Sequence, residues 1–116
     1  MEILGISGSL RRDSYNTALL RNAPLRLELW DGLKEIPPYD EDDDVETAPP
    51  AVARMRAAVA GADAILFSTP EYNASVPGQL KNAVDWASRP PFASPVHWAP
   101  FTATGLSYGL PQRPVF

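Results

Sequence analysis

Apolar positions fall into two kinds of short block that alternate along the chain. The dense runs Ile3-Leu4-Gly5-Ile6 and Ala62-Asp63-Ala64-Ile65-Leu66-Phe67-Ser68 read as strands buried on both faces, over 2–6 and 62–68. Leu25-Arg26-Leu27-Glu28-Leu29-Trp30 alternates instead, which predicts a strand at or near a sheet edge, with Asp31-Gly32 turning the chain behind it. Helical spacing fills the gaps. A short helix is predicted over 14–23, ended by Pro24. A second, over 50–60, puts Val52, Met55, Ala58 and Val59 on one face, with Pro49 and Pro50 near its start and Gly61 as its cap. A third, over 79–88, turns Leu80, Ala83, Val84 and Ala87 inward. This order of elements implies right-handed crossovers and a parallel α/β sheet.

Two intervals depart from the pattern. Residues 36–50 are rich in Pro and acid, and read as a surface loop in which Glu41-Asp42-Asp43-Asp44 form a solvated turn. Beyond Arg89 prolines crowd the chain and the apolar period fades, leaving 101–106 as a candidate fourth strand.

Composition narrows the classes. A chain of 116 residues with 45% hydrophobic residues suits one small globular domain over 1–116. The absence of Cys excludes disulfides, thiolate metal sites and a cysteine nucleophile, and fits a reducing cytosol. Neither a signal peptide nor a membrane span is read, so the expectation is a soluble cytoplasmic protein with no membrane partner. A net charge of −4 argues against a nucleic-acid surface, while Arg11 and Arg12 keep one local positive pocket. His97, the single histidine, lies in a Pro-rich stretch and is given a surface role, and no metal site is read. Trp86 and Val84 suit either the core or a subunit seam, and Trp30 suits core or edge packing.

The chemistry sits in two loops. Ser7-Gly8-Ser9-Leu10-Arg11-Arg12-Asp13-Ser14-Tyr15-Asn16 follows the first strand and opens a helix, where free backbone N–H groups and the helix dipole favour an anion. Gly8 permits a tight turn, Ser9 and Ser14 offer hydroxyls, Arg11 a planar fork, and Asn16 and Thr17 close the site. The spacing matches neither a P-loop nor the dinucleotide fingerprint, which points to the phosphate monoester of a mononucleotide. The second loop, 69–78, leaves another strand at the same sheet edge. Its prolines stiffen it, Gly78 removes a side chain, Tyr72 offers a flat ring, and Asn73 with backbone N–H groups suits a heterocycle.

Gly8-Ser9-Leu10-Arg11 with Ser14 and Asn16, followed by Pro70-Glu71-Tyr72-Asn73, Ser75, Pro77-Gly78, Leu80-Lys81-Asn82-Ala83 and Asp85-Trp86, resembles the NADPH-dependent FMN reductase family. The match covers about residues 2–90, and 91–116 diverge. The resemblance implies a flavodoxin-like, doubly wound parallel sheet, incomplete here at three to four strands. It implies an FMN-dependent NAD(P)H oxidoreductase that passes a hydride from NADPH or NADH, through non-covalently bound FMN, to a small-molecule acceptor such as a flavin or quinone. Homodimers or homotetramers are implied as well. Carried over by position, Ser9, Arg11, Ser14, Asn16 and Thr17 would hold the FMN phosphate, and Pro70, Glu71, Tyr72 and Asn73 would line the isoalloxazine. No side-chain acid or base is assigned, because the cofactor carries the chemistry. The first helix and its turn are short by several residues against the family pattern. Gly105, Ser107 and Gly109 echo a later turn, but the last strand and helices of a five-stranded sheet are missing, which reads as C-terminal truncation with apolar surface exposed. An FMN-binding electron carrier and a non-catalytic remnant are the alternatives.

Overall fold

The computed structural model describes residues 1–89. The final apolar run of the N-terminus extends by one residue to form β1 (Ile3–Ser7), and α1 (Tyr15–Arg21) follows a seven-residue loop. Next come β2 (Leu27–Trp30), α2 (Pro50–Ala60), β3 (Ala64–Ser68) and α3 (Gly78–Ala87). The three strands lie in the order β2-β1-β3, all parallel, with Ile3 opposite both Leu27 and Ala64 and with Ser7 opposite Ser68. This is the opening of the flavodoxin-type strand order, whose ligand crevice lies at the carboxyl edge where the chain switches from β1 to β3.

Alternation along β1 assigns the helices to opposite faces. Leu4 and Ile6 share a core with Val52 and Met55 of α2 and with Leu80, Ala83 and Trp86 of α3. Gly5 points the other way, where an added Cβ would stand 3.6 Å from Leu20 of α1 and 2.8 Å from Leu27. The sheet is therefore doubly wound, as the resemblance implied. Trp86 is fully buried, which settles it as core; burying such a side chain contributes roughly 2–3 kcal/mol of transfer free energy. Trp30 is half-buried against the same core.

Some local readings change. Asn22, not Pro24, ends α1: its N–H and its side-chain amide both reach the Ala18 carbonyl, the latter at 2.8 Å. Gly61 does close α2, but at φ −81° it is right-handed and needs no glycine freedom. Strand β3 is only half-buried over Ala64–Phe67, because among the described residues it pairs with β1 alone.

The acidic connection is the largest correction. It holds two 3-10 turns, Leu33–Glu35 and Glu41–Asp43, and it is fastened to α2 and α3. The Asp44 side chain is covered and does not belong to a solvated acidic turn: its carboxylate meets the Arg56 guanidinium at 3.0 Å, with both side chains almost wholly shielded. Arg56 also donates to the Trp86 carbonyl from Nε and Nη2, at 3.2 and 2.9 Å. The Tyr39 hydroxyl donates to Asp44 at 3.2 Å. Burial alone would raise the Asp44 carboxyl, but Arg56, joined by Arg89 and Tyr39, outweighs it and holds the acid below the usual carboxylate range. The Tyr39 phenol is raised, first by burial. Backbone groups of this strandless segment are paired by side chains of α3. Gln79 donates to the Leu33 and Ile36 carbonyls at 2.8 and 2.9 Å, and Asn82 and Trp86 both donate to the Pro37 carbonyl.

The 101–106 strand, His97, the Gly105, Ser107 and Gly109 turn and the rest of 90–116 lie outside the described residues.

Candidate functional site

Two loops leave neighbouring strands at the same edge, and they are joined at their bases. The Gly8 N–H donates to the Ser68 carbonyl at 2.8 Å. A Cβ at Gly8 would fall 2.2 Å from Thr69 Oγ1 and 2.6 Å from Thr69 Cβ, so only glycine lets the loops approach this closely. One hydroxyl from each strand end then reaches α1. Thr17 Oγ1 donates to Ser7 Oγ at 2.9 Å, and Ser68 Oγ donates to Asn16 Oδ1 at 2.9 Å.

In the first loop, Ser14 is buried and is the N-cap of α1: its Oγ accepts from the N–H groups of Asn16 and Thr17 at 3.2 and 3.4 Å. The cap thus occupies two of the backbone donors that sequence reasoning left free, while the Ser14 hydroxyl proton stays available to a ligand. Ser9, half-buried, has its N–H on Ser7 Oγ at 3.4 Å and accepts the Arg11 N–H at 3.2 Å. These successive turns curl the loop into a nest of hydroxyls and N–H groups. Arg11 and Arg12 are exposed at its tip and enter no ion pair among the described residues. The structure therefore brings Ser9, Ser14, Asn16 and Thr17 together and leaves Arg11 free to fold over them. Thr17 differs in turning its hydroxyl proton toward β1.

The second loop is shaped by its backbone. Tyr72 and Ser75 exchange N–H···O bonds of 2.9 and 3.2 Å, and the two residues between them, Asn73 and Ala74, have φ of 54° and 61°. Two left-handed residues in a row make a tight turn of the primed kind, which Asn tolerates and Ala does not favour. Pro70 is half-buried; Glu71, Tyr72 and Asn73 are exposed, with Tyr72 showing 55% of its surface. Gly78 has open space where a Cβ would be, so the room there does not depend on its being glycine. Ser75 belongs to the turn, and Lys81 pairs with Asp85 on the helix surface at 2.7 Å.

The donor set suits a phosphate monoester joined to a flat ring: hydroxyls, an amide, a guanidinium and loop N–H groups beside a stiff loop carrying a half-exposed aromatic. A hollow of about 200 Å³ at the opposite, amino edge of the sheet, between Glu2, Leu4, Glu28 and Ala58, has carboxylates instead and would repel such a group. Sequence reasoning included Ser7 in the first loop but gave neither Ser7 nor Ser68 a role in the site. Their signal was a hydroxyl at the last position of β1 and of β3, directly before a loop.

Residues 1–111 match the family model described as NADPH-dependent FMN reductase. The chain belongs to that family. It is 49% identical over 115 residues to an NAD(P)H-dependent FMN reductase of Pseudomonas aeruginosa, covering 94% of this chain and 61% of that protein. Against the NADPH:quinone oxidoreductase of Arabidopsis thaliana the identity is 40%, covering 94% of this chain and 60% of the plant protein. Among solved structures it resembles FerB of Paracoccus denitrificans, a flavoenzyme NAD(P)H:(acceptor) oxidoreductase, with a TM-score of 0.67 and 38% identity over 78% of this chain and 52% of that one. This FMN reductase family chain thus spans about three fifths of the curated relatives' length, and its open parallel sheet is flavodoxin-like. No helix among the described residues is long and apolar enough to cross a membrane.

Proposed function

We propose that the chain is the FMN-binding part of an NAD(P)H-dependent oxidoreductase whose acceptor is a small molecule such as a flavin or quinone. The observation that carries this reading is the junction of the two loops at the β1 and β3 ends, which sets a phosphate-type donor cluster beside a rigid aromatic loop. Ser9, Arg11, Ser14, Asn16 and Thr17 would hold the FMN phosphate, and Pro70, Glu71, Tyr72 and Asn73 would border its ring. FMN, when bound, supplies the redox chemistry between a nicotinamide donor and the acceptor. The protein's own contribution is placement: Arg11 offsets the phosphate charge, the hydroxyls donate to its oxygens, and the stiff 69–78 loop fixes one side of the ring. NADPH or NADH is the donor in this reading, the whole of 1–116 is one domain, and the protein works in the cytoplasm as a homodimer or homotetramer. The relatives' names support the nicotinamide donor, and the absence of Cys fits the cytoplasm.

The test is a titration of the full chain with FMN, followed by flavin fluorescence, beside Arg11→Ala. Saturable binding is expected, weakened about tenfold in the variant by loss of one charge-assisted contact, with its melting temperature unchanged. NADPH oxidation that requires both FMN and a quinone is the second expected result. A folded protein that does not bind FMN would overturn the proposal. An electron carrier would bind FMN but oxidise NADPH only with a partner reductase, so the same assay separates that reading.

A further inference from the structure

Ser68 stands outside both ligand loops, yet it touches each. Its carbonyl holds the Gly8 N–H, its backbone leads directly into Thr69, and its hydroxyl donates to Asn16 Oδ1 at 2.9 Å. Ser68 is 9% exposed and paired in register with Ser7, so its hydroxyl has a fixed origin at the end of β3. An amide has one oxygen and one NH2, and here the oxygen is the end held by the Ser68 hydroxyl, which leaves the NH2 for a ligand. The Asn16 NH2 has no partner among the described residues. A phosphate accepts hydrogen bonds only, so this orientation matters. The opposite one would present the amide oxygen to an anion.

We propose that Ser68 is a positioning residue for phosphate recognition, holding the Asn16 amide so that its NH2, not its oxygen, is offered to the anion. The proposal rests on the FMN reading above. It predicts a defect confined to the phosphate, and riboflavin, which lacks that group, is the control. Full-length wild type, Ser68→Ala, Asn16→Ala and the double variant are titrated with FMN and with riboflavin by flavin fluorescence. Ser68→Ala should weaken FMN about tenfold while changing riboflavin less than about twofold, and Asn16→Ala should do the same. The double variant should be no weaker than Asn16→Ala alone, because the two residues act through one contact. Equal losses for FMN and riboflavin, or additive losses in the double variant, would overturn the proposal while leaving the FMN site standing. Wild type without FMN binding would overturn the FMN reading and the proposal together. Should Ser68→Ala fail to fold, Ser68→Cys, close in size but a weak donor, carries the test: it must weaken FMN more than riboflavin, and unchanged FMN affinity in that folded variant overturns the proposal.

Discussion

Among the described residues two clusters of polar side chains, one where α2 and α3 meet the 36–50 connection and one at the carboxyl edge of the sheet, are finished to different degrees. In the first, Arg56 pairs with Asp44 and donates to the Trp86 carbonyl, while Gln79 and Asn82 donate to carbonyls of a strandless segment. In the second, Ser7, Ser14, Thr17 and Ser68 are paired, yet Arg11, Arg12 and the Asn16 NH2 face outward without partners among the described residues. Internal pairing of buried polar groups is what folding requires, because an unpaired group costs more than the pair gains. Polar groups held in place but left open are what a ligand requires. The contrast separates polarity that the fold uses up from polarity that it leaves open, without reference to any relative.

Breaking the closed cluster should have the largest effect. Arg56→Ala removes one half of a buried pair and both donors to the Trp86 carbonyl, and is expected to destabilise by roughly 3–5 kcal/mol, read as a lower urea midpoint. The same pair sets an acid limit. Asp44 is held below its ordinary value of 3.8, so its contribution is fully present above that pH and is lost as pH falls through the folded value. Urea midpoints should therefore drop on acidification below about pH 4, and Asp44→Asn, already weaker at neutral pH, should lose the part of that drop that belongs to this carboxylate.

At the open cluster the comparable break is steric. Gly8→Ala drives a methyl group into Thr69, whose Cβ is only 2.6 Å away and is too close to the backbone to swing clear. The loops must separate, at a cost of about 1–3 kcal/mol, and the Gly8 bond to Ser68 lengthens with them. Thr69→Gly in the same chain should restore part of the loss in thermal unfolding, a coupling that independent sites would not show.

The open cluster was the more legible of the two in sequence. Its residues are local, since Ser9, Arg11, Ser14, Asn16 and Thr17 sit within one loop and one helical turn and follow a recognisable strand. The parallel order was also legible, because dense apolar runs alternate with helical spacing. The closed cluster was not. Asp44 looked like one more acid in a solvated run, and Arg56 drew no reading. The two lie 12 positions apart, across the entry into α2, a spacing that neither a helical nor a strand period encodes. Ser68 was illegible for a related reason: its partner, Asn16, lies 52 positions away.

The smallest expected effect has the opposite sign. Ala74 holds φ at 61° in the turn between Tyr72 and Ser75, where a Cβ crowds the neighbouring carbonyl and the left-handed form costs an L residue about 1–2 kcal/mol. Ala74→Gly relieves that strain but gives the unfolded chain more freedom, worth about 0.5–1 kcal/mol against it. The balance is a stabilisation of roughly 0.5 kcal/mol, visible as a rise of a few degrees in melting temperature for a domain of this size. Flavin affinity should move the other way: a turn that Ala74 keeps narrow presents Tyr72 at one angle, and glycine widens the range of angles before a ring is bound. A variant that gains stability and loses FMN affinity together would show that the strain at Ala74 serves the site; one that gains both would assign it to the fold alone.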